Sequence, residues 1–433
     1  MKRKSALISG LFIIIYMSES LSQTTPRVTF EQFIANNIPA KTEIDVFLNE
    51  LSWAKFDPVT GYRLGNFIPH DGVDNSSTIS TSQENGTRTS FHYSDKPCRI
   101  NTYGNSFTLC HQVSDGETWQ EYLAGHIGEP VRNFGMGGYG VYQAYRRMLR
   151  EEKTQDSAKY VILYVWGNDH VRSLLRCRYM THKEWTQRHD ESEGTGKMFH
   201  GNFWANLEMD LNTGRFIENN SRVTSPGDLY KMTDAKWMVE NLKTDLALQM
   251  FLFAQGKIAN IDVSKLKKLS GILDFPIDLE NPETLRGNVQ DLLNKYGFAA
   301  TRYILDGSDE FARKNGKKLL IVLFDPYNVT TPLLNNEVRY DQEIVDYLRD
   351  KGFYYFDMNL VHVEDYKSFK PGVQAYFSRY FVNNGHYSPA GNHLFAYSIK
   401  QKIVDWLDPK PVTYQNDNQK LIDFKGYLEN NEF

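Results

Sequence analysis

The stretch INTYGNSFT, residues 100–108, decides the fold of this 433-residue chain. Its first half suits a short buried strand, and a Gly-Asn-Ser turn separates it from a helix-compatible stretch between Val113 and Ala124. This order places Ser106 at the carboxyl end of a strand and near the start of a helix. In open α/β sheets such a position faces the crevice where ligands bind. The alternative interpretation is a turn serine that only caps a helix.

Three later segments show the same order of strand, polar turn and helix. An apolar run leads into NFGMGGYG, residues 133–140, before a helical pattern from Val141 to Leu149. The buried-strand pattern YVILYVW, residues 160–166, runs into Gly-Asn-Asp, residues 167–169. Near the end, NNGHYSPAGN, residues 383–392, opens a last helix that we expect to reach Trp406.

In this order the four segments resemble the SGNH (GDSL-type) hydrolase and esterase family, in its secreted bacterial form with a helical insertion. The diagnostic positions are Ser106, Gly138, Asn168 and His386, and the segments at 56–64 and 113–119 are similar to the same group. The resemblance implies a three-layer α/β/α, flavodoxin-like parallel sheet. It also implies that Ser106 attacks an ester carbonyl, that His386 takes its proton, and that Gly138 and Asn168 help to bind the oxyanion. Taken singly, each of these residues is also an ordinary turn or capping residue.

Two departures from the family pattern bear on the chemistry. Asn105 stands where the family has an aspartate before its serine, and Asn383 and Asn384 stand where its acid precedes the histidine. We expect Asn383 to accept the Nδ1–H of His386, as asparagine does in Cys-His-Asn sites. A Ser-His dyad without a third residue is also open. Other possible partners for the ring are a backbone carbonyl, Asp325 and Asp357.

A run of basic residues follows the third segment. Arginine side chains suit carboxylates, so we expect Arg172 and Arg176, with Trp166, to bind the substrate, for example an acylated uronic-acid sugar. The alternative is a solvated helix face. No pair of histidines has convincing metal-ligand spacing, and neither a metal nor another cofactor is expected. The basic residues of this run are His170, Arg172, Arg176, Arg178, His182 and Lys183.

Composition narrows the partners and the compartment. A net charge of -4, from 49 basic and 53 acidic residues, argues against nucleic acid. Aromatic residues make up 14% of the chain, which suits a large core or stacking on sugars. A basic start, an apolar stretch to Met17 and small residues at 20–22 predict a removable signal peptide, with an uncleaved anchor as the alternative. The mature protein is then secreted or periplasmic, with no stable membrane association.

Cysteine content and alternation of elements set the domain organisation. Three cysteines cannot form a disulfide framework, although one bridge between Cys110 and Cys177 with Cys98 free stays open. Buried-strand patterns at 318–324 and 353–358, with helical patterns at 299–315 and 341–351, resume the alternation typical of a parallel sheet. Between about residues 172 and 298 the alternation stops. Helical patterns such as 235–254 there predict a cap over the site, or alternatively an elaboration or oligomer surface. The expected divisions are 1–22 signal peptide, 23–95 N-terminal arm, 96–171 first catalytic part, 172–298 helical cap, 299–408 second catalytic part and 409–433 C-terminal strap.

The sequence therefore predicts an exported serine esterase that removes small acyl groups, acetyl foremost, from carbohydrate through an acyl-serine intermediate. Its partner is a small-molecule or polysaccharide ester, and its oligomeric state is left open. Three rival hypotheses remain. They are a lipid or short-chain carboxylesterase, an O-acyltransferase, and a catalytically weak binding protein that keeps the fold.

Overall fold

The computed structural model describes residues 28–50, 53–167, 169–181, 201–370, 372–383 and 385–415. The predicted signal peptide and most of the C-terminal strap lie outside them. The arm begins with a short helix, which Thr29 starts with a capping box shared with Gln32. Its regular elements are α1 (Phe30–Asn36), α2 (Lys41–Asn49), and a hairpin of β1 (Ala54–Asp57) and β2 (Gly61–Leu64).

A five-stranded parallel sheet lies at the centre of the fold, in the order β4-β3-β5-β8-β9. Counted within this sheet, the order is the 2-1-3-4-5 arrangement of flavodoxin-like sheets. The predicted α/β class with a parallel sheet is thus confirmed. The strands are β3 (Ile100–Tyr103), β4 (Val131–Asn133), β5 (Tyr160–Val165), β8 (Lys318–Leu323) and β9 (Tyr355–Asp357).

Helices flank the sheet and begin where the polar turns end. Those before the insertion are α3 (Ser106–Leu109), α4 (Trp119–Ile127), α5 (Val141–Glu151) and α6 (Asp169–Arg172). The helices that start within the insertion or after it are α7 (Ala235–Leu242), α8 (Leu246–Ala254), α9 (Val263–Ile272), α10 (Leu285–Lys314), α11 (Thr331–Leu334), α12 (Gln342–Asp350), α13 (Met358–Phe369), α14 (Val373–Tyr380) and α15 (Pro389–Trp406).

The central strand β5 separates two hydrophobic cores. Its odd-numbered residues pack with α5, α10 and α12, whereas its even-numbered residues pack with α4, α14 and α15. All six residues of β5 are buried, as the unbroken apolar run predicts for a strand covered on both faces. The carboxyl ends of the five strands share one edge, which is where the motif residues lie.

The insertion departs from the predicted all-helical cap. A turn at 212–214 joins a hairpin of β6 (Asn206–Asp210) and β7 (Arg215–Asn219). The helical pattern at 235–254 is two helices, because the Asp245 side chain accepts the Leu248 N–H and starts a new one. Helix α10 begins well before residue 299 and so runs through the expected boundary between insertion and sheet domain.

All three cysteines are free thiols, so the bridge left open between Cys110 and Cys177 is not formed. Both thiols are buried, and burial raises the pKa of each to about 12. No helix in the described ranges is long and apolar enough to cross a membrane.

Candidate active site

Segments far apart in the sequence meet at the carboxyl edge of the sheet. The Ser106 hydroxyl lies 2.7 Å from Nε2 of His386. Ser106 follows β3, and His386 precedes α15. Both residues are half-buried, so the pair remains accessible from outside. The two residues predicted to act together are therefore in hydrogen-bonding contact.

Two glycines allow the serine turn to pack tightly. A Cβ on Gly104 would lie 2.1 Å from the Thr108 hydroxyl, and one on Gly135 would lie 2.2 Å from the Leu109 nitrogen. Any side chain at either position would push α3 away from the sheet or from the loop after β4. Asn105 caps α3 by accepting the Phe107 N–H. These contacts fix where the Ser106 hydroxyl points.

A tight turn before α15 places the histidine. The Val382 N–H donates to the His386 carbonyl at 2.9 Å, and the Tyr327 hydroxyl donates to the Gly385 carbonyl. The imidazole ring lies over Phe107, with ring centroids 5.0 Å apart. The residue after the serine thus supports the ring that contacts the serine.

Gln112 occupies the position expected for Asn383. Its Oε1 lies 3.1 Å from Nδ1 of His386 and also accepts the main-chain N–H of His386 at 2.8 Å. Asn383 is exposed, has a φ of 45° and makes no recorded hydrogen bond to the ring, so its predicted orienting role is wrong. Asn384 lies outside the described residues.

The two alternative carboxylates serve elsewhere. Asp325 accepts the N–H groups of Tyr327 and Asn328 at a turn, and Asp357 pairs with Arg339. Within the described ranges, neither contacts His386.

A second histidine lies beside the first. His111 is 5.1 Å from His386 between ring centroids, and its Nε2 lies 3.1 Å from the Asp71 carboxylate. The Trp53 ring meets His111 edge to face. Burial, reinforced by His111, lowers the pKa of His386 to about 3. The ring is therefore neutral near neutral pH, as acceptance of a proton from a serine requires.

The glycine loop after β4 is held from behind. The Tyr62 hydroxyl donates to the Gly137 carbonyl at 3.0 Å, and Arg178 donates to the Gly138 carbonyl at 2.6 Å. Because C=O and N–H of a trans peptide point in opposite directions, the Gly138 N–H faces away from Tyr62. Among the described residues, neither this N–H nor that of Ser106 meets a hydrogen-bond acceptor. Both are therefore available to an oxyanion.

Glycine at 138 is required by its backbone conformation and by its neighbours. Its φ is +80°, and a Cβ there would lie 2.7 Å from the Tyr62 hydroxyl and 2.9 Å from the Arg178 guanidinium carbon. The protein itself, and not a substrate, excludes a side chain. Asn168, the third expected oxyanion donor, lies outside the described residues.

A buried charged cluster follows β5. Asp169 accepts from Asn105 at 2.9 Å and from Arg172 at 3.0 Å. Burial raises the pKa of Asp169 to about 7, although Arg172 and Arg178 oppose the shift. Burial also lowers the pKa of Arg178 to about 9. The Arg172 guanidinium stacks 5.2 Å over the Trp166 ring, so two of the three residues predicted to bind substrate form one unit.

Arg176 does not belong to this group. Its guanidinium is bound by the Glu208 carboxylate, the Asn241 carbonyl and the Thr244 hydroxyl, which commits it to the insertion. Its predicted substrate role is therefore corrected. His170 is buried against Thr301, and burial lowers its pKa to about 3, so it carries no charge near neutral pH. His182 and Lys183 lie outside the described residues.

Sequence reasoning missed the residues that support the pair from the arm and from the loop after α3. Gln112 and Asp71 meet because the Gln112 amide nitrogen donates to the Asp71 carbonyl at 2.9 Å. Tyr62 and Trp53 come from the hairpin that precedes the sheet. No motif marks Gln112, Asp71 or Trp53, and the resemblance of the segment 56–64 assigned no role to Tyr62; the packing of the arm on the sheet brings these residues to the site.

Within the described part of the chain, no three His, Cys, Asp or Glu side chains are grouped so as to hold a metal ion. No protein-family model matches this sequence, and no curated protein matches it significantly.

Proposed function

We propose that this chain is a serine esterase of the SGNH (GDSL-type) hydrolase family, with a three-layer α/β/α catalytic domain, and that it hydrolyses small acyl esters. The observation that carries the proposal is the 2.7 Å contact between the Ser106 hydroxyl and His386 Nε2, made by residues 280 apart in the chain. A serine hydroxyl is a weak nucleophile until an adjacent base can take its proton. A neutral imidazole at this distance is such a base.

The reaction follows from these positions. Ser106 Oγ attacks the ester carbonyl carbon as its proton passes to His386 Nε2. The oxygen that gains charge is stabilised by the N–H groups of Ser106 and Gly138, with Asn168 as the third proposed donor. Each such donor contributes about 2.7–4 kcal/mol of transition-state stabilisation. His386 then gives the proton to the leaving alcohol, and water hydrolyses the acyl-serine by the reverse steps.

Crowding beside the serine favours a small acyl group. Gly137 lies between the Trp53 ring and Ser106, since a Cβ added to it would be 2.6 Å from the ring and 3.7 Å from the Ser106 Cβ. We propose acetyl as that group and carbohydrate as the alcohol part. The carbohydrate proposal is supported by the predicted signal peptide at residues 1–22, from which we propose action outside the cytoplasm, and by the aromatic content.

The contacts of Arg172 favour an acidic group on the sugar. Arg172 stacks on Trp166, pairs with a single buried carboxylate and is close enough to His386 to lower its pKa. Comparing release of acetate from acetylated polyuronic acid and from an acetylated neutral polysaccharide tests this part. Equal rates on both would remove the acidic group from the proposal.

Turnover of a panel of esters tests the proposed function. The parent protein is expected to hydrolyse p-nitrophenyl acetate faster than longer-chain esters, and Ser106→Ala to lose about 10⁴-fold or more in kcat. Ser378→Ala is the matched control, because Ser378 is exposed and bonds only within its helix. A preference for long chains would support a lipid esterase, and transfer of acetyl to an added sugar would support an acyltransferase. No turnover of any ester would favour the binding protein.

The contact between Gln112 and Nδ1 of His386 weakens the case for a non-catalytic binding protein. That alternative rests on the asparagines that stand in place of an acid before His386, which would leave the ring without a residue to orient it.

A further inference from the structure

We infer that Gln112 is the positioning residue that sets the tautomer of His386, an inference that rests on the proposed function. The residue comes from the loop after α3, far in sequence from the histidine that it contacts. Its single side-chain oxygen lies against both the main-chain nitrogen and Nδ1 of His386, at 2.8 Å and 3.1 Å. Two neighbouring groups with fixed hydrogen-bonding roles decide how this contact works.

The orientation of the Gln112 amide follows from those neighbours. The main-chain N–H of His386 is always a donor, so the amide atom facing it must be the oxygen Oε1. The Asp71 carbonyl is always an acceptor, so the atom 2.9 Å from it must be the nitrogen Nε2. The two contacts agree, and the alternative amide orientation would place like groups together at both ends.

The amide orientation in turn fixes the ring. Because Oε1 can only accept, Nδ1 of the neutral His386 ring must carry the hydrogen. Nε2 then has a free lone pair 2.7 Å from the Ser106 hydroxyl. When Ser106 attacks, its proton moves to Nε2, and the resulting imidazolium keeps its Nδ1–H on Gln112 until the leaving alcohol takes the proton from Nε2. The amide supplies an acceptor without a negative charge.

The surrounding backbone is shaped to admit this side chain. Gln112 has a φ of +70°, a conformation that L residues rarely adopt. Gly385 cannot carry a side chain without displacing the amide, because its Cβ would lie 2.2 Å from Gln112 Oε1. The rare backbone conformation at residue 112 and the need for glycine at 385 both restrict the sequence. A functional contact between Gln112 and His386 accounts for both.

The charged and titratable groups around His386 come from several elements. They are His111 beside Gln112, Asp71 of the arm, Arg172 after β5 and the Tyr327 hydroxyl on the Gly385 carbonyl. Of these, Asp71 is the carboxylate that raises the pKa of His386, while His111 and Arg172 lower it. A carboxylate placed at 112 would add a direct opposite charge to the ring.

Three variants test the role of the amide by kinetics. Gln112→Leu is expected to lower kcat by about 10²-fold or more with KM changed by less than about threefold, since loss of tautomer control costs about 10⁴-fold at a serine protease triad. Gly385→Ala should reproduce the loss while leaving Gln112 in the sequence. Gln112→Glu should keep most activity and move the acid limb of the kcat/KM profile up by about 1–3 pH units. Gln112→Leu and Gly385→Ala with kcat within twofold of the parent would overturn the inference.

The tautomer itself is measured without substrate and without any variant. In parent protein labelled with ¹⁵N-histidine, the nitrogen shifts of His386 at about pH 7 should show hydrogen on Nδ1 and none on Nε2; His386→Asn assigns the signals. Hydrogen on Nε2 would overturn the inference, even if Gln112→Leu fails to fold. A protein that hydrolyses no ester but shows the Nδ1–H form would instead sink the proposed function alone.

Discussion

Asn105 makes chemical sense beside Asp169 at the scale of single residues. The Asn105 amide donates to the buried Asp169 carboxylate at 2.9 Å while its oxygen accepts the Phe107 N–H. The aspartate that the family carries at this position would instead face Asp169 with a second carboxylate. The asparagine at 105, which departs from the family pattern, is therefore explained by the carboxylate of Asp169 beside it.

Placing the aspartate of the proposed family at position 105, with Asn105→Asp, should destabilise the protein. Two neighbouring buried carboxylates cannot both ionise, so the pKa of the introduced carboxyl is higher in the folded state than in the unfolded chain. The free energy of unfolding therefore falls as pH rises from the unfolded-state pKa through the folded-state pKa. We expect a loss of about 1–3 kcal/mol in the free energy of unfolding at about pH 8 and a smaller loss at about pH 5. Urea unfolding at both pH values measures it. Equal losses at the two would show that repulsion is not the cause, and Asn105→Asp with Asp169→Asn should recover part of the stability.

The lowered pKa of His386 predicts the pH dependence of catalysis. Because the base must be neutral, and because burial and His111 hold its pKa at about 3, activity is lost only as pH falls toward that value. The kcat/KM profile should be flat from about pH 5 to pH 8, without the limb near about pH 6.5 of an ordinary histidine. Asp169→Asn is the control, since the pKa of Asp169 is about 7. A limb between about 6 and 7 that persists in this variant would contradict the account.

Sequence patterns identified Ser106 and His386 but not the residue between His386 and the arm. The first two stand in segments with strand, turn and helix signals, whereas Gln112 precedes the helix-compatible stretch from Val113 and carries no such signal. The Gln112 contact depends on the arm and the last turn arriving at the same place, which no local pattern encodes. Arg176 was misassigned for the same reason, since its partner Glu208 lies on a hairpin that the sequence did not predict.

The loop from 109 to 115 is the element on which the site depends most. The expected helix from Val113 to Ala124 begins only at Trp119, where the Thr118 side chain caps it by accepting the Glu121 N–H. The chain before this helix is bound by Arg88. That buried guanidinium donates to the carbonyls of Leu109, Cys110 and Val113 and to the Asp115 carboxylate. One arm residue thus holds the loop that carries Gln112.

Arg88→Met should lower the free energy of unfolding by about 3–5 kcal/mol, because it leaves the buried Asp115 carboxylate without its charged partner. Arg88→Lys keeps the charge but not the fork, and should fall between parent and Met. Arg313→Met is the matched control, an exposed arginine paired with Asp309, and should change stability by less than about 0.5 kcal/mol. Chemical denaturation of the three variants measures the costs. If Arg88→Met were no worse than Arg313→Met, the arm would not hold the loop.

Local patterns predicted the elements of the sheet better than those of the insertion. The strand at 160–165 and the helix at 389–406 match expectation because an unbroken apolar run and a Ser-Pro start are strong local signals. Helix α10 begins earlier than expected, since it packs on α8 of the insertion as well as on β8 of the sheet. Packing between segments, and not propensity, decides such boundaries.

For the whole molecule, strand order explains why three of the four separated segments meet at one edge of the sheet. β3 lies between β4 and β5, so the turns after these three strands are neighbours at one edge. This is the switch point at which ligands bind in sheets of this order. Burial on both faces keeps the sheet rigid, and the arm closes the same edge from outside through Asp71 and Tyr62. The site therefore requires the arm and the sheet to fold together.

Labelling by a fluorophosphonate at about pH 7.5, read by mass spectrometry, tests the central claim most directly, because only an activated serine reacts with it. The account predicts one adduct per chain on Ser106, none in Ser106→Ala, and strongly slowed labelling in His386→Asn. An unlabelled Ser106 in folded protein, or labelling unchanged by the loss of His386, would contradict it.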